Sequence, residues 1–176
     1  YTVKIKGIGN YSGDTTVKYT VNAQQSYKAT AAAKTYNAKN QTTKVTVKYG
    51  NTVLKRGTDY KITGVTKAKN AGKYKITVKG INNYKGTKTI YYTINKAAQK
   101  SVKVKVNASK KKITVSGVKA KAKVTYKSAN KKVKVKNGKI TVGKGVKKGT
   151  KVRITVKVAA TKNYKAYSKS IIYKVK

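Results

Sequence analysis

The sequence predicts an all-β protein with mostly antiparallel strands, and three observations support this fold class. Valine and lysine alternate along short segments, of which VKVKV at residues 102–106 is the plainest. Successive side chains of a strand point to opposite faces, so the valines belong to a buried face and the lysines to an exposed one. Turn residues separate these segments, and one pair of segments occurs three times along the chain.

The alternating lysines place the charge of this chain on its predicted strands. The formal net charge is +43, from 45 lysines and arginines against two acids. Disordered chains combine a high net charge with few β-branched and aromatic residues, whereas this chain has 15 tyrosines and a hydrophobic content of 38%. We therefore expect an ordered protein with lysine on the outer faces of its strands. The same alternation occurs in residues 44–49, 73–80, 133–136 and 151–158.

The missing residue types exclude most catalytic and metal-binding chemistry. The chain has no cysteine, histidine or glutamate, and its acids are Asp14 and Asp59. Zinc sites, serine–histidine dyads and hydrolysis by paired carboxylates need residues that are absent here, and two separated acids do not assemble a calcium site. We therefore expect a non-enzymatic protein without a metal or a cofactor. No apolar run approaches the roughly 20 residues of a membrane span, so we expect no membrane insertion.

Internal repeats predict the domain organisation. Residues 1–22 match residues 74–95 without a gap, and residues 153–176 form a looser third copy. Each copy contains a predicted strand, an Asn-Tyr corner and a second strand. Residues 1–22 are therefore expected to be the last two strands of a truncated unit, and the chain to be a piece of a longer protein. Residues 23–95 and 96–176 are expected to be complete units.

Each complete unit contains enough predicted strands for an immunoglobulin-like sandwich, which typically has about seven short strands separated by turn signals. Asn137-Gly138 is the strongest hairpin signal, because a type I′ turn needs a positive φ at both central residues. Residues 25–39 contain three consecutive alanines, which suit a helical turn, but a linker that leads into a first strand fits better. The predicted strands of the last unit are 101–107, 111–116, 123–128, 132–136, 139–142, 151–158 and 167–175, and those of the middle unit are 34–38, 43–49, 52–55, 59–64, 73–80 and 87–94.

These residues resemble the bacterial immunoglobulin-like repeat domains of Gram-positive cell-surface proteins. In the middle unit the resemblance lies in LKRGTDYKI (54–62), NAGKYKITVKG (70–80) and INNYKGTKTIYYTI (81–94). In the last unit, residues 124–150 and 154–176 are similar to the group 2 type of these domains. The resemblance implies tandem β-sandwich units that serve as stalks, spacers or adhesive modules on secreted or wall-anchored proteins.

Tyrosine is the main bulky residue of this chain, which has no phenylalanine or tryptophan. The tyrosines of the Asn-Tyr corners have two interpretations: an exposed platform for sugars, or a structural plug with its hydroxyl bonded to the backbone. Recurrence in every unit favours the plug. Tyr91 and Tyr92 are adjacent and face opposite sides, so Tyr91 is the candidate exposed aromatic residue if Tyr92 is in the core. The corner tyrosines are Tyr11, Tyr84 and Tyr164, and the predicted core tyrosines are Tyr19, Tyr92 and Tyr173.

The lysine excess predicts engagement of anions. A net charge of about 2–8 suffices to keep a small domain soluble, and this chain carries +43. Self-repulsion at such a charge costs stability, most of all at low salt, and polyanions or counterions offset that cost. Arginine is scarce, which predicts low specificity, because lysine acts as a point charge whereas arginine binds phosphate through paired hydrogen bonds. The candidate anion-binding residues are Lys75, Lys79, Lys103, Lys105, Lys134, Lys136, Arg153 and Lys157.

Two other motifs are interpreted as structural. GKGVKKGT (143–150) is superficially similar to a phosphate-binding loop, but the lysine expected before its final threonine is missing and no helix pattern follows. A Lys–Asn isopeptide bond needs a buried acid, and the last unit has none. Asp59 is expected to cap a turn or to balance Arg56 or Lys61.

The leading hypothesis from the sequence is an extracellular stalk or adhesin segment, at the cell surface or secreted, that binds anionic polymers non-specifically. Its partners would be teichoic acid, acidic glycans or extracellular DNA. Two alternatives remain open. One is a structural filament or surface-layer subunit in which residues 1–22 complete the sheet of a neighbouring copy by strand exchange. The other is a dedicated nucleic-acid-binding protein, which needs one face much richer in lysine than the others.

Overall fold

The protein is an all-β chain in the computed structural model, which describes residues 1–18 and 25–176. Within those ranges most strand pairs are antiparallel, and the one helical segment is a 3₁₀ turn at Lys119–Lys121. The predicted fold class is therefore confirmed at the level of an antiparallel all-β protein. The predicted core residue Tyr19 and the predicted boundary between residues 22 and 23 lie outside the described residues.

The described residues form strands that are named β1 to β18 in chain order. The longest are β10 and β11, with nine residues each. In chain order the bounds are Thr2–Lys6, Asp14–Lys18, Lys28–Ala31, Lys34–Thr35, Gln41–Thr42, Val45–Tyr49, Thr52–Val53, Tyr60–Gly64, Lys67–Ala68, Gly72–Gly80, Thr87–Asn95, Lys103–Asn107, Lys112–Ser116, Val124–Ser128, Val133–Lys136, Lys139–Val142, Lys151–Val158 and Tyr167–Lys174.

The chain forms two compact units. Strands β1 to β3 and β6 to β8 belong to the first unit, and β4, β5, β9 and β12 to β18 belong to the second. The first unit consists of Tyr1–Ala32, Lys44–Thr66 and Lys75–Tyr91, and the second consists of Ala33–Thr43, Lys67–Tyr74 and Tyr92–Lys176.

The strands that the structure describes before residue 96 form four sheets. β1 pairs antiparallel with β2 along its whole length, and β6 lies between β3 and β7. A four-stranded sheet has the order β4-β11-β10-β8, in which β4 pairs parallel with the end of β11, and β5 pairs with β9. In the first unit the buried side chains come from alternate strand positions and from the connecting segments. They include Tyr27, Val47, Leu54, Tyr60, Ile76 and Val78.

Residues 103–174 of the second unit form two antiparallel sheets around one core. The first sheet has the order β12-β13-β16-β15, and the second has the order β14-β17-β18. The alternation of the sequence decides which side of each strand is buried, and burial of each valine or isoleucine contributes about 1.5–3 kcal/mol. The core includes Val104, Ile113, Val133 and Ile140 from the first sheet, and Val152, Ile154, Val156, Val158 and Tyr173 from the second.

All the strands predicted for the last unit occur, and their ends differ from the prediction by two residues at most. The six strands predicted for the middle unit also occur, and the structure adds the short strands β3, β5 and β9. Residues 28–31 and 34–35 are extended, so the helical-turn interpretation of the alanine segment is wrong. Asn137 and Gly138 have φ values of 50° and 80°, and Lys136 pairs with Lys139, which confirms the two-residue hairpin.

The first two repeat copies have the same backbone geometry at the Asn-Tyr corner. The amide of Gly7 donates to the carbonyl of Gly13 at 2.9 Å, and the amide of Gly80 donates to that of Gly86 at 3.0 Å. A Cβ atom at Gly7 would lie 2.7 Å from a carbonyl oxygen of the corner, and one at Gly80 would lie 2.8 Å from the equivalent oxygen. The close approach of the backbone at the corner therefore requires glycine at both positions.

The predicted repeat units 23–95 and 96–176 are also similar in the segments that precede their first strands. Gln25 forms a parallel bridge with Tyr84, and Ala97 forms the same bridge with Tyr164. In each case a backbone amide of the preceding segment donates to the carbonyl of the corner asparagine, at 2.8 Å for Gln25 and 2.9 Å for Ala97. The corner therefore holds the start of each segment through the same hydrogen bond.

The β1–β2 hairpin exposes the face that its repeat copy buries. Val3 and Ile5 are 45% and 51% exposed, whereas their counterparts in the second copy, Ile76 and Val78, are fully buried. The hairpin has the apolar alternation of a core strand pair, but the described residues place no core against that face.

Removal of the hydroxyl group is expected to affect stability differently at two buried tyrosines. Tyr173→Phe is expected to leave stability unchanged or to raise it by about 1 kcal/mol, because this buried hydroxyl has no hydrogen-bond partner among the described residues. Tyr27→Phe is expected to lower stability by about 1–3 kcal/mol, because its hydroxyl lies 2.8 Å from the carbonyl of Val78 and 2.9 Å from that of Gly86. Urea unfolding of both variants checks this, and equal losses in the two would contradict it.

Candidate anion-binding surface

The eight predicted anion-binding residues are all exposed, and they lie on four strands. Each of those strands turns its apolar residues inward, so alternation places the charged residues outside. Within residues 103–174, the outer faces of both sheets carry them. The residues are Lys75 and Lys79 on β10, Lys103 and Lys105 on β12, Lys134 and Lys136 on β15, and Arg153 and Lys157 on β17.

Outward lysines of these two sheets commonly lie opposite serine or threonine. Lys105 pairs with Thr114, and Lys157 lies between Thr125 and Ser168. Like charges directly opposite each other destabilise a strand pair, whereas hydroxyl side chains do not repel a lysine. This arrangement separates many of the outward lysines of the two sheets, although Lys151 lies directly opposite Lys174 on the second sheet.

One row of lysines on the first sheet departs from this arrangement. Lys112 lies opposite Lys139, and Lys139 lies opposite Lys136. Lys136 is among the residues predicted from the sequence, whereas Lys112 and Lys139 are not. The pair of Lys136 and Lys139 flanks the predicted turn, so turn geometry could have identified Lys139. Lys112 joins the row only through pairing of β13 with β16, which the sequence does not indicate.

Several lysines line each of three clefts in the second unit. The largest has a volume of 530 Å³, and the others have volumes of 460 Å³ and 300 Å³. The predicted residues Lys134 and Lys136 line the second, whereas none of the eight lines the other two. The lysines of the three clefts are, in the same order, Lys131, Lys132 and Lys147; Lys127, Lys131, Lys134 and Lys136; and Lys110, Lys111, Lys112 and Lys139.

A further cleft differs from these in its chemistry. Its volume is 410 Å³, and Lys157 is its one charged lining residue beside Val158, Ala159 and Tyr167. Apolar lining gives an anion few hydrogen-bond donors. The predicted residue Lys157 is therefore placed apart from the lysine-lined clefts.

The prediction for the adjacent tyrosines is confirmed. Tyr91 is 49% exposed, whereas Tyr92 is 1% exposed and belongs to the core. Tyr92 stacks on Tyr74 with a distance of 5.1 Å between the ring centroids. Tyr173 is also buried, as predicted.

The predicted plug is contradicted at Tyr11, whereas Tyr84 and Tyr164 pack against the rings of Tyr49 and Tyr36. Tyr11 is 81% exposed, and Tyr84 and Tyr164 are partly buried. Tyr164 contacts Tyr36 edge to face, with 5.4 Å between the ring centroids. The buried tyrosine whose hydroxyl bonds to the backbone is Tyr27, which reaches strand β10 and the corner from the segment before β3. This contact joins distant parts of the chain, so the local corner motif did not indicate it.

The two motifs that were interpreted as structural are confirmed in that role. Asp59 caps its turn, because its carboxylate accepts a 2.7 Å hydrogen bond from the amide of Lys55. The amide of Asp59 in turn donates to the carbonyl of Lys55 at 2.8 Å. Residues 143–150 form the connection between β16 and β17, with no helix after them.

Burial changes the acidity of three tyrosine hydroxyls. It raises the pKa of Tyr27, Tyr92 and Tyr126 above the ordinary value for tyrosine. The neighbouring Tyr74 adds to the raised pKa of Tyr92, whereas a backbone hydrogen bond with Gly80 opposes the raised pKa of Tyr27. A tyrosine with its ordinary pKa is already neutral near pH 7, and the raised pKa extends the neutral form of these three further into the alkaline range.

Comparison with known proteins leaves the family resemblance at the level of the sequence motifs. No protein-family model matches the chain, and no curated protein matches it. None of the helical structure in residues 1–18 and 25–176 is long and apolar enough to cross a membrane. Those residues also contain no group of three or more metal-ligating side chains.

Proposed function

We propose that the chain is a non-enzymatic stalk or adhesin segment of an extracellular protein, at the cell surface or secreted. Its lysine-coated strands bind anionic polymers through charge. The segment consists of tandem immunoglobulin-like β-sandwich units of the bacterial surface-protein type. The partners are teichoic acid, acidic glycans or extracellular DNA.

The observation that carries the proposal is the distribution of exposed lysine over two sheets. In residues 103–174, both outer faces present lysine at alternate strand positions. No aspartate or glutamate follows Asp59 in the sequence, so no acidic side chain of residues 96–176 can neutralise these cations. A surface of this kind attracts polyanions over its whole area rather than at one pocket. The same distribution disfavours a dedicated nucleic-acid reader, which concentrates its charge on one face.

The strand arrangement supports the immunoglobulin-like part of the proposal. Residues 103–174 form seven strands in two antiparallel sheets of four and three strands around one core. This number and division of strands are typical of immunoglobulin-like sandwiches. The parallel bridges of Gln25 with Tyr84 and of Ala97 with Tyr164 support two related units in tandem.

Salt dependence of polymer binding tests the electrostatic mechanism. Binding to immobilised heparin is expected at about 50 mM salt and is expected to be lost near 1 M, because binding releases condensed counterions. A neutral polysaccharide on the same matrix serves as the control. Absence of binding at low salt, or unchanged affinity at high salt, would show that the mechanism is wrong.

A second candidate function, a filament subunit, is favoured by the β1–β2 hairpin. Its half-exposed Val3 and Ile5 correspond to Ile76 and Val78 of the second repeat, which are fully buried. A second copy of the chain could cover this face by strand exchange, which would build oligomers. Light scattering of the purified chain distinguishes the two functions, because a monomer at high concentration rules out such assembly.

A further inference from the structure

We propose that one cluster on this surface, at the adjoining tips of two hairpins, binds a single tetrahedral oxyanion group, a phosphate or a sulfate. The site gives the proposed polymer-binding function a preferred contact point, and so it rests on that function. The hairpin-tip cluster consists of Lys110, Lys111, Lys112, Lys136, Asn137 and Lys139.

The register of β13 and β16 places two lysines directly opposite each other. The amide of Ile113 donates to Gly138 at 2.7 Å, and the amide of Ile140 donates to Lys111 at 2.8 Å. These bonds flank the opposed residues Lys112 and Lys139, which therefore form a non-hydrogen-bonded pair. Such pairs have the shorter separation between strands, with about 4.5 Å between Cα atoms. Both lysines are on the exposed side of the sheet.

A third lysine extends this row. Lys136 lies opposite Lys139 across the two-residue turn, so three cations occupy neighbouring positions on three strands. Like charges in direct opposition destabilise a sheet, and residues 96–176 hold no acid that could separate them. Elsewhere on this sheet the structure avoids such contacts, as in the pairing of Lys134 with Thr141. An anion between the lysines would turn this repulsion into attraction.

The turns add donors on one side of the row. Lys110, Lys111, Lys112, Asn137 and Lys139 line one cleft of 300 Å³. Both turns are fixed by local backbone geometry: Lys111 and Asn137 have positive φ values of 47° and 50°, and the side chain of Asn107 accepts a 2.9 Å hydrogen bond from the amide of Lys110. The side chains therefore project from backbone that is already ordered, which lowers the entropy cost of binding.

The donor set suits a tetrahedral oxyanion. Each lysine offers three N–H donors and Asn137 offers an amide, whereas the cluster contains no arginine for paired contacts with a planar carboxylate. Oxygens that point in several directions can be shared among three or four ammonium groups. A phosphodiester or a sulfate ester of a polymer presents such oxygens.

Two single substitutions, each of which removes one positive charge, test the site. Lys139→Thr removes the central lysine of the row, and Lys134→Thr removes a neighbouring lysine that lies opposite Thr141 on the same face. Titration with inorganic phosphate at low salt, followed by backbone amide NMR, is expected to shift residues 111–113 and 136–140 in the wild type and in Lys134→Thr. In Lys139→Thr the affinity is expected to fall by about tenfold. Lys112→Thr is expected to reproduce this loss from the opposite strand.

Stability gives an independent readout. Without phosphate and at low salt, Lys139→Thr is expected to melt at a higher temperature than Lys134→Thr, because it relieves two lysine pairs rather than none. Added phosphate is expected to raise the melting temperature of the wild type and Lys134→Thr more than that of Lys139→Thr. Inorganic sulfate is the second probe, and its affinity relative to phosphate assigns the site to sulfate or to phosphate groups.

Two outcomes would overturn the site: equal phosphate affinities for Lys139→Thr and Lys134→Thr, or shifts spread evenly over the lysines of both sheets. Heparin binding by the same proteins separates this failure from failure of the proposed function. Salt-sensitive heparin binding without a phosphate site removes the preferred contact point alone. A phosphate site without heparin binding shows instead that the polymer-binding function is wrong.

Discussion

Ile76→Ala is expected to lower the free energy of unfolding by about 2–5 kcal/mol, whereas Ile5→Ala is expected to cost less than about 1 kcal/mol. The two isoleucines point to the same face of corresponding strands, since Ile76 corresponds to Val3 and Ile5 to Val78, but Ile76 is fully buried and Ile5 is 51% exposed. Truncation of Ile76 leaves a cavity in the core, and truncation of Ile5 removes contacts from an open face. Urea unfolding measures both losses of stability. Urea is suitable because an uncharged denaturant does not screen the repulsion between lysines.

Ile172→Ala is the control for this comparison. Ile172 is 52% exposed on β18, so its truncation is expected to cost as little as that of Ile5. A loss at Ile5 that approaches the loss at Ile76 would contradict the exposed position of the hairpin face. Such a loss would mean that another surface covers Ile5 in solution, and its dependence on protein concentration would identify a second copy of the chain.

Affinity for heparin is expected to fall by about 10³ or more between 50 and 200 mM salt, as for proteins that neutralise several phosphates of DNA. Because the charge is distributed over both outer faces, two sets of three substitutions to glutamine are expected to weaken binding to a similar degree. Each set removes three charges from one outer face and leaves the hairpin-tip cluster intact. The first set is Lys103, Lys105 and Lys134, and the second is Lys127, Arg153 and Lys157.

Binding measured at one low salt concentration compares the two sets. Each substituted contact is expected to reduce the steepness of the salt dependence by somewhat less than one unit. Loss of binding with the first set and none with the second would contradict the distributed surface and favour a single recognition face. Circular dichroism of both proteins controls for folding.

The sequence predicts the fold class and the exposed lysines because both depend on alternation within single strands. The inward and outward residues of β17 and the turn at Asn137-Gly138 follow from local rules. Burial of Tyr92 beside exposed Tyr91 follows from the same period of two. These features needed no knowledge of which strands are neighbours.

Contacts between distant strands could not be predicted in the same way. The opposition of Lys112 and Lys139 depends on the order β13-β16, which two other strands interrupt in the chain. The hydroxyl of Tyr27 likewise lies within hydrogen-bond distance of the carbonyl groups of Val78 and Gly86, which are 51 and 59 residues further along the chain. The corner motif suggested a tyrosine bonded to the backbone but did not indicate Tyr27, because the motif contains an acceptor of this bond, Gly86, and not its donor.

The slope of log affinity against log salt concentration, measured for heparin and for double-stranded DNA, tests the central claim most directly. Steep negative slopes are expected for both polymers, about −0.9 per neutralised DNA phosphate, with little remaining affinity for either near 1 M salt. A slope near zero for both polymers, or affinity for one that persists at 1 M salt, would contradict binding by a distributed lysine surface.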